Sequence, residues 1–374
     1  MNFADWTEAQ LGAVRAAGQW RTIRTFDALG PSGTLLDRGV VSFASNDYLG
    51  LSAHPTVIGA AHEALDRWGT GATASRLVVG SRPVHAELEA ELADWKQTEH
   101  ALLFPTGYAA NLGVLSTLGG PDCTIISDEL NHASIIDGCR LSRSPVEIVK
   151  HNDAAEVRSR LAAVRTPRSI VVTDSVFSMD GDEAPLEDVA DACAEHDALL
   201  VVDEAHAVFD SAFDVGCVEG LHLLRVVTHS KALGSLGGAV CGPRGLLDLL
   251  VNKARSQIFS TGSTPADAAA SLAALRLLRS PRGVGLVERL RKSTDRLLPG
   301  HPSPIVPIVV GSELDAVSAA DALLDRGLLV PAIRPPTVAP GTSRLRIALS
   351  SAHTDEHLDR LEAALADLDL APSP

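Results

Sequence analysis

The chain has no apolar run of the about 18–20 residues that a membrane-crossing helix needs, and its first ten residues carry Asp5 and Glu8, unlike the start of a secretory signal. A soluble protein that works in the cytoplasm where it is made is the expectation. Cysteine is scarce: Cys123, Cys139, Cys193, Cys217 and Cys241 are odd in number, far apart and without a Cys-x-x-Cys pair. That excludes a disulfide framework and a zinc site as first readings and favours reduced, mostly buried thiols. Positive charge is short as well. The 32 Lys and Arg stand against 47 Asp and Glu, for a net charge of −15. A generic nucleic-acid binder needs a basic surface to neutralise phosphates, so neither nucleic acid nor membrane is an expected partner. Lysine is rarer still: Lys96, Lys150, Lys231, Lys253 and Lys292 are the whole supply. Internal repeats and low-complexity tracts are missing too.

What is present is material for a large core. At roughly 150 residues per domain the 374 residues make two or three domains, and 45% hydrophobic with 21% charged residues is ordinary globular usage. Residues 1–45 read as an N-terminal arm with scattered Arg15, Arg21 and Arg24 and a turn at Gly30-Pro31-Ser32-Gly33. Val57, Ile58, Ala61, Ala64, Leu65 and Trp68, then Leu88, Leu92 and Trp95, fall at helical spacing, with a Gly-rich stretch at 69–76 between them. Short apolar runs then recur at 101–104, 124–127, 170–173, 198–202, 224–228 and 237–241, with helical patterns such as 107–118 and 185–196 in between. Continuous apolar runs alternating with helices are what a mostly parallel sheet, covered on both faces, requires. Beyond about 270 come helical patterns at 268–278 and 284–297, strand candidates at 305–310, 328–333 and 344–349, and a last helix near 355–368. The expected organisation is an arm (1–45), a large α/β domain (46–270) and a smaller C-terminal α+β domain (271–374).

Ligands of open α/β sheets sit beyond the carboxyl ends of the strands, so the residues after each apolar run carry the functional signal. After 101–104 come Pro105-Thr106-Gly107-Tyr108, where a glycine opens a helix whose first N–H groups suit a phosphate. An ordinary strand–helix turn reads the same. After 124–127 comes a segment with His132, by itself more often a satisfied loop residue than a ligand group. The run at 170–173 leads into a polar loop from Asp174 to Asp182, and 198–202 into Asp203-Glu204-Ala205-His206. The run at 224–228 leads into His229-Ser230-Lys231 and a Gly-rich loop. A carboxylate, two imidazoles, hydroxyls and one of the five lysines thus fall at the same relative place in successive strand–helix units. Partial burial of that lysine lowers its pKa and favours imine chemistry. A carboxylate at the end of a buried strand is costly unless a cation pairs with it, and a protonated pyridine nitrogen is one such cation. Phosphate site, carboxylate, imidazole and imine-forming lysine are the four handles that pyridoxal 5′-phosphate needs. The run Asp203-Glu204-Ala205-His206 also spells the acidic box of some helicases, but these need a phosphate loop ending in Gly-Lys, and no Gly-Lys pair occurs.

Asn131-His132-Ala133-Ser134, Phe177-Ser178-Met179-Asp180-Gly181, Asp203-Glu204-Ala205-His206 and Thr228-His229-Ser230-Lys231 together resemble the fold-type I pyridoxal-phosphate enzymes, and more closely the α-oxoamine synthases. The resemblance runs from Ser45-Asn46-Asp47-Tyr48-Leu49-Gly50-Leu51 to about residue 353. Within that family, Ile333-Arg334-Pro335-Pro336-Thr337-Val338 and Gly341-Thr342-Ser343-Arg344-Leu345-Arg346 are most similar to the members that condense L-alanine with a pimeloyl thioester in biotin biosynthesis. The nearest alternative is a member that condenses glycine with a short acyl-CoA. A regulatory domain that binds the cofactor without turnover lacks support, since no basic or helix-turn-helix module is present.

The resemblance implies residue roles. Lys231 holds the cofactor as a Schiff base and, once freed, serves as general base. Asp203 pairs with the pyridinium nitrogen, His132 stacks on the ring and His206 contacts the ring hydroxyl. Gly107, Tyr108, Ser178 and Thr228 contribute to cofactor and phosphate binding. Arg346 takes the amino-acid carboxylate, and Arg21, Asn46, His132 and Thr337 line up with substrate-contacting positions. A homodimer with active sites at the interface is also implied, with Ser260-Thr261-Gly262 touching the phosphate of the neighbouring chain. Whether coenzyme A or an acyl carrier protein bears the acyl group stays open. Three features depart from the family pattern: Ala207-Val208-Phe209-Asp210 in place of a Gly-rich run, His229 two places before the lysine, and a short segment between Cys217 and Leu224.

Overall fold

The six apolar runs of the middle region are all strands of one sheet in the computed structural model, which describes residues 1–209 and 218–372. The chain opens with α1 (Phe3–Ala16) and three short strands, β1 (Phe26–Ala28), β2 (Ser32–Leu35) and β3 (Arg38–Ser42). Helices α2 (Pro55–Trp68) and α3 (Pro83–Trp95) follow. The alternation then runs β4 (His100–Phe104), α4 (Gly107–Leu118), β5 (Cys123–Asp128), α5 (Ala133–Ser142), β6 (Val146–Val149), α6 (Ala154–Ala163), β7 (Arg168–Asp174), α7 (Leu186–Glu195) and β8 (Leu199–Asp203). Next come β9 (His222–Thr228), β10 (Gly238–Gly242), α8 (Arg244–Lys253), the single turn α9 (Arg255–Ile258), α10 (Pro265–Leu278) and α11 (Pro281–Leu297). The last elements are β11 (Ile305–Gly311), α12 (Glu313–Asp325), β12 (Leu328–Leu329), β13 (Ala332–Ile333), β14 (Ser343–Ala348) and α13 (Asp355–Asp367).

By contact the described residues form two units. One comprises Asp47–Ser178 and Asp182–Arg289; the other comprises Met1–Asn46, Met179–Gly181 and the chain from Leu290 on. In this division α10 belongs with the sheet, because it packs on α2 and α3. The N-terminal arm groups with the C-terminal elements, because β12 pairs in parallel with β3.

The sheet of the first unit has seven strands in the order β4-β10-β9-β8-β7-β5-β6. Neighbours from β9 through β6 are parallel. β10 runs antiparallel to both β4 and β9, so the link from β9 to β10 is a nine-residue connection, 229–237, without a crossover helix. Successive side chains of a strand point to opposite faces, and the core follows that rule. Ile125, Ile170, Val172 and Val201 pack with Ala110, Val114, Ile135, Leu247 and Leu250 on one face. Ile126, Val171, Leu200 and Val202 pack with Val157, Leu161, Val189 and Cys193 on the other. At about 1.5–3 kcal/mol per fully buried aliphatic side chain, these two layers hold the sheet between its helices. Cys123, Cys139, Cys193 and Cys241 are buried free thiols. Cys217 and Asp210, from the departing segments, lie outside the described residues.

In the second unit β11, β14 and β13 form a three-stranded antiparallel sheet backed by α12, and β1, β2, β3 and β12 form a four-stranded mixed sheet. α1 buries none of its residues.

Candidate active site

Four of the parallel strands end on polar residues at the same edge: Asp128 on β5, Asp174 on β7, Asp203 on β8 and Thr228 on β9. Parallel register makes this alignment automatic, since Asp174 pairs with Asp203 across β7 and β8. Helix starts lie at the same edge. α4 begins at Gly107, capped by Thr106, whose hydroxyl accepts from the Ala109 N–H at 3.0 Å. A side chain at Gly107 would bring its Cβ within 3.3–3.4 Å of Thr228. One at Gly238, on β10, would lie 2.5 Å from the Gly107 nitrogen, so the close approach of β10 to this helix start requires glycine there.

Asp203 is buried. Its Oδ2 accepts from Asn111 Nδ2 at 2.6 Å and its Oδ1 from the Ala205 N–H at 2.9 Å. Asn111, on α4, also donates to Ser134 Oγ at 2.9 Å, which lies 2.7 Å from Nδ1 of His132. His132 caps α5, and its N–H donates to Asp174 Oδ2 at 2.8 Å. Burial pushes the His132 imidazole below its ordinary value, with the Asp203 carboxylate opposing and Lys231 adding to the shift. Asp174 is pushed well above the usual carboxylate range, first by burial and then by Asp203.

Lys231 lies on the connection between β9 and β10. Its Nζ is 2.7 Å from Nε2 of His206, whose Nδ1 is 2.6 Å from the hydroxyl of buried Tyr48. Thr228 Oγ1 is 2.8 Å from Ser230 Oγ and donates to Gly237 O at 3.2 Å, which closes the turn before the lysine. His229 is buried, its Nε2 makes no hydrogen bond, and burial pushes its imidazole down to about 4.

The residues expected at the cofactor therefore converge for Gly107, His132, Asp203, His206, Thr228 and Lys231. Tyr108 sits beside them with its ring edge-to-face to His132 at 6.5 Å and its hydroxyl on Asp137. Ser178 lies on the loop after β7, which is closed by Phe177 N–H to Asp182 O and tied to Asp203 O by the Ser175 N–H. Thr261 belongs to a separate segment bridged to Ser75. Arg21, Asn46, Thr337 and Arg346 belong to the other unit. There Arg346, buried on β14, donates to Asn46 Oδ1 at 3.2 Å, and Arg21 donates to Pro335 O at 3.4 Å beside the turn closed by Thr337 N–H to Arg334 O. Sequence reasoning missed Tyr48, Asn111, Ser134 and Asp174 as members of the network. The one available signal was position: Ser134 and Asp174 follow apolar runs, Tyr48 lies in the 45–51 motif and Asn111 in the helical pattern at 107–118.

No helix among the described residues is long and apolar enough to cross a membrane, and no cluster of three or more metal-ligating side chains occurs among them.

The family model for aminotransferase class I and II matches residues 38–365. An 8-amino-7-oxononanoate synthase from Anaeromyxobacter sp. (strain K) is 46% identical over 386 residues, covering 99% of this chain and 97% of that protein. Among solved structures, a serine palmitoyltransferase variant from S. paucimobilis with a bound PLP–myriocin aldimine superposes with a TM-score of 0.89, at 29% identity over 98% of each chain. An 8-amino-7-oxononanoate synthase from Francisella tularensis gives a TM-score of 0.72, at 26% identity over 88% of this chain and 98% of that one.

Proposed function

We infer, for a chain that belongs to the class I and II aminotransferase family and within it to the 8-amino-7-oxononanoate synthases, that it condenses L-alanine with a pimeloyl thioester. The products are 8-amino-7-oxononanoate, carbon dioxide and free thiol, in biotin biosynthesis. The fold is that of the fold-type I transferases and the cofactor is pyridoxal 5′-phosphate.

The residues present fit that group. Asn111 Oδ1 is buried without a donor next to a carboxylate that takes its own hydrogen bonds from uncharged groups. A protonated ring nitrogen is a donor of the matching charge. At the start of α4 the Gly107 position and the Thr228 and Ser230 hydroxyls offer phosphate donors. Bound there, the cofactor supplies an electron sink for the carbon that loses its proton or carboxyl group.

The chain's own residues do the rest. Lys231 would hold the cofactor covalently and, when alanine takes its place, the freed amine takes the Cα proton. Asp203 would keep the ring nitrogen protonated, a charge interaction that gains from burial. His132 would lie against the ring and His206 would face its hydroxyl. Tyr108 and Ser178 would add contacts to the cofactor, and Thr261 would reach it from a partner copy in a homodimer. Arg346, oriented by Asn46, would grip the alanine carboxylate through a two-pronged guanidinium bond, with Arg21 and Thr337 toward the acyl group. The protein is expected to work in the cytoplasm.

The observation that carries this reading is the 2.7 Å approach of Lys231 to His206, at the strand edge that also holds Asp203 and His132, in a chain so similar along its length to enzymes of that name. Incubating purified protein with pyridoxal phosphate, L-alanine and pimeloyl-CoA should release carbon dioxide and give a product of the mass of 8-amino-7-oxononanoate. Turnover with glycine and acetyl-CoA in place of these substrates, and none with alanine, would reject it in favour of a glycine-dependent synthase.

A further inference from the structure

Tyr48 is linked to the reactive amine through His206, and it is among the most deeply buried residues of the described chain. Its hydroxyl, the two ring nitrogens of His206 and Nζ of Lys231 form one line, with steps of 2.6 and 2.7 Å. A neutral imidazole has one donor and one acceptor nitrogen, so the bond made at one fixes the role of the other. An oxygen–nitrogen separation of 2.6 Å is shorter than the about 2.9–3.0 Å usual for N–H donors and matches a hydroxyl donor. With Tyr48 donating to Nδ1, the imidazole hydrogen sits on Nε2 and points at the lone pair of Lys231. The opposite tautomer would offer Lys231 a lone pair instead, which stabilises the ammonium.

We propose that Tyr48 is a positioning residue that locks His206 in the tautomer whose Nε2–H donates to the Lys231 amine, and so favours the uncharged, nucleophilic form of that amine. The proposal rests on the reading that Lys231 is the reactive amine. It also explains why a tyrosine rather than an apolar ring is buried there: the ring could be filled by phenylalanine, but the donor could not. The hydrogen held on Nε2 is equally the one that a ring-hydroxyl oxygen facing His206 requires. Among the described residues, His132 at the start of α5 and Asp174 on β7 lie within electrostatic reach of Lys231, and both also feel Asp203 on β8. The variants below leave all three in place.

The test uses the full-length chain stripped of cofactor, with pyridoxal phosphate as probe, borohydride to trap the adduct, and peptide mass to locate it at Lys231. The trapping rate is followed against pH. Tyr48→Phe should move its midpoint upward by about half to one pH unit, the size of one hydrogen bond. In a His206→Ala background the same substitution should move nothing further. An unmoved or lowered midpoint, or an equal shift in the absence of His206, overturns the proposal. Should Tyr48→Phe not fold, the wild-type chain with ¹⁵N-labelled histidine decides: an unprotonated Nδ1 on His206 supports the proposal and a protonated one overturns it. No adduct at Lys231 in the wild type removes the functional reading together with this one, whereas an adduct with an unmoved midpoint removes this one alone.

Discussion

Asp203, the last residue of β8, and Glu204, the next in the chain, are both buried, and their surroundings treat them in opposite ways. Glu204 is met by Lys96 Nζ at 2.6 Å and by the guanidinium of Arg225. Burial alone would raise its carboxyl, but Lys96 and then Arg225 outweigh that and hold it below the ordinary value. Asp203 takes its hydrogen bonds from an amide and a backbone N–H, neither of which brings a positive charge. A carboxylate that the chain neutralises with its own cations is part of the architecture. One held in place by neutral donors has its charge available to a ligand, and the pyridinium nitrogen is the ligand proposed for it. The same contrast separates two histidines: His151 lies between Asp128 and Asp182, at 3.1 and 2.7 Å, while His229 is buried with its Nε2 unpartnered.

The contrast is open to breakage, most forcefully at the amine. Lys231→Ala should lower turnover by about 10³-fold or more, since both covalent attachment and the general base go, with an unchanged circular-dichroism melt. Retained turnover would remove Lys231 from the chemistry. Asp203→Asn should cost about 10²–10³-fold in turnover, as for loss of a buried charge facing a developing one, and weaken pyridoxal-phosphate affinity by titration. Its effect on unfolding free energy should stay within about 1 kcal/mol. Glu204→Gln should do the reverse. Breaking a buried ion cluster leaves its cations uncompensated, at about 3–5 kcal/mol in urea unfolding, and per-active-site turnover of the folded fraction should change far less than in Asp203→Asn. Equal stability losses in the two variants would erase the distinction.

The smallest effects are in pH dependence, where the signs differ. For His151 burial opposes the charge, but the two carboxylates raise it to about 10. A raised histidine stabilises fully below its unfolded value, about 6.5, and that stability is lost as pH rises toward 10. His229 and His353, both pushed down to about 4 by burial, act at the other end. Their unfolded forms bind protons first, so stability falls as pH drops from about 6.5 to 4. The two kinds of histidine therefore act on opposite sides of about pH 6.5. Each histidine contributes a slope of up to about 1.4 kcal/mol per pH unit on its own side. Thermal melts across pH should show His151→Gln flattening the alkaline limb only and His229→Leu flattening the acid limb only. A matched flattening of both limbs by either variant would contradict these assignments.

Much of the sheet was legible because parallel strands buried on both faces read as unbroken apolar runs. β6 was missed for the converse reason: it is the edge strand, and of Val146–Val149 only Val149 is buried. The run expected at 328–333 is two short strands, separated by Val330 and Pro331, that join different sheets. At the site, residue types that name their chemistry (Lys231, Asp203, His132) stood out at strand ends. Tyr48 and Asn111 did not, because the partners that give them meaning lie 158 and 92 residues away. No local spacing encodes such a pair; the crossover connections create it.

The reversed direction of β10 bears on how the site assembles. Pairing β9 with β10 closes a loop of only nine residues, whereas bringing β5, β7 and β8 together closes loops that each contain a whole helix. Short closures lose less chain entropy and form sooner. Amide protection in pulse-labelled hydrogen exchange should therefore develop around residues 222–242 ahead of the β7–β8 pairing. The lysine would then take its place on a preformed ribbon, and the carboxylate would be delivered to it.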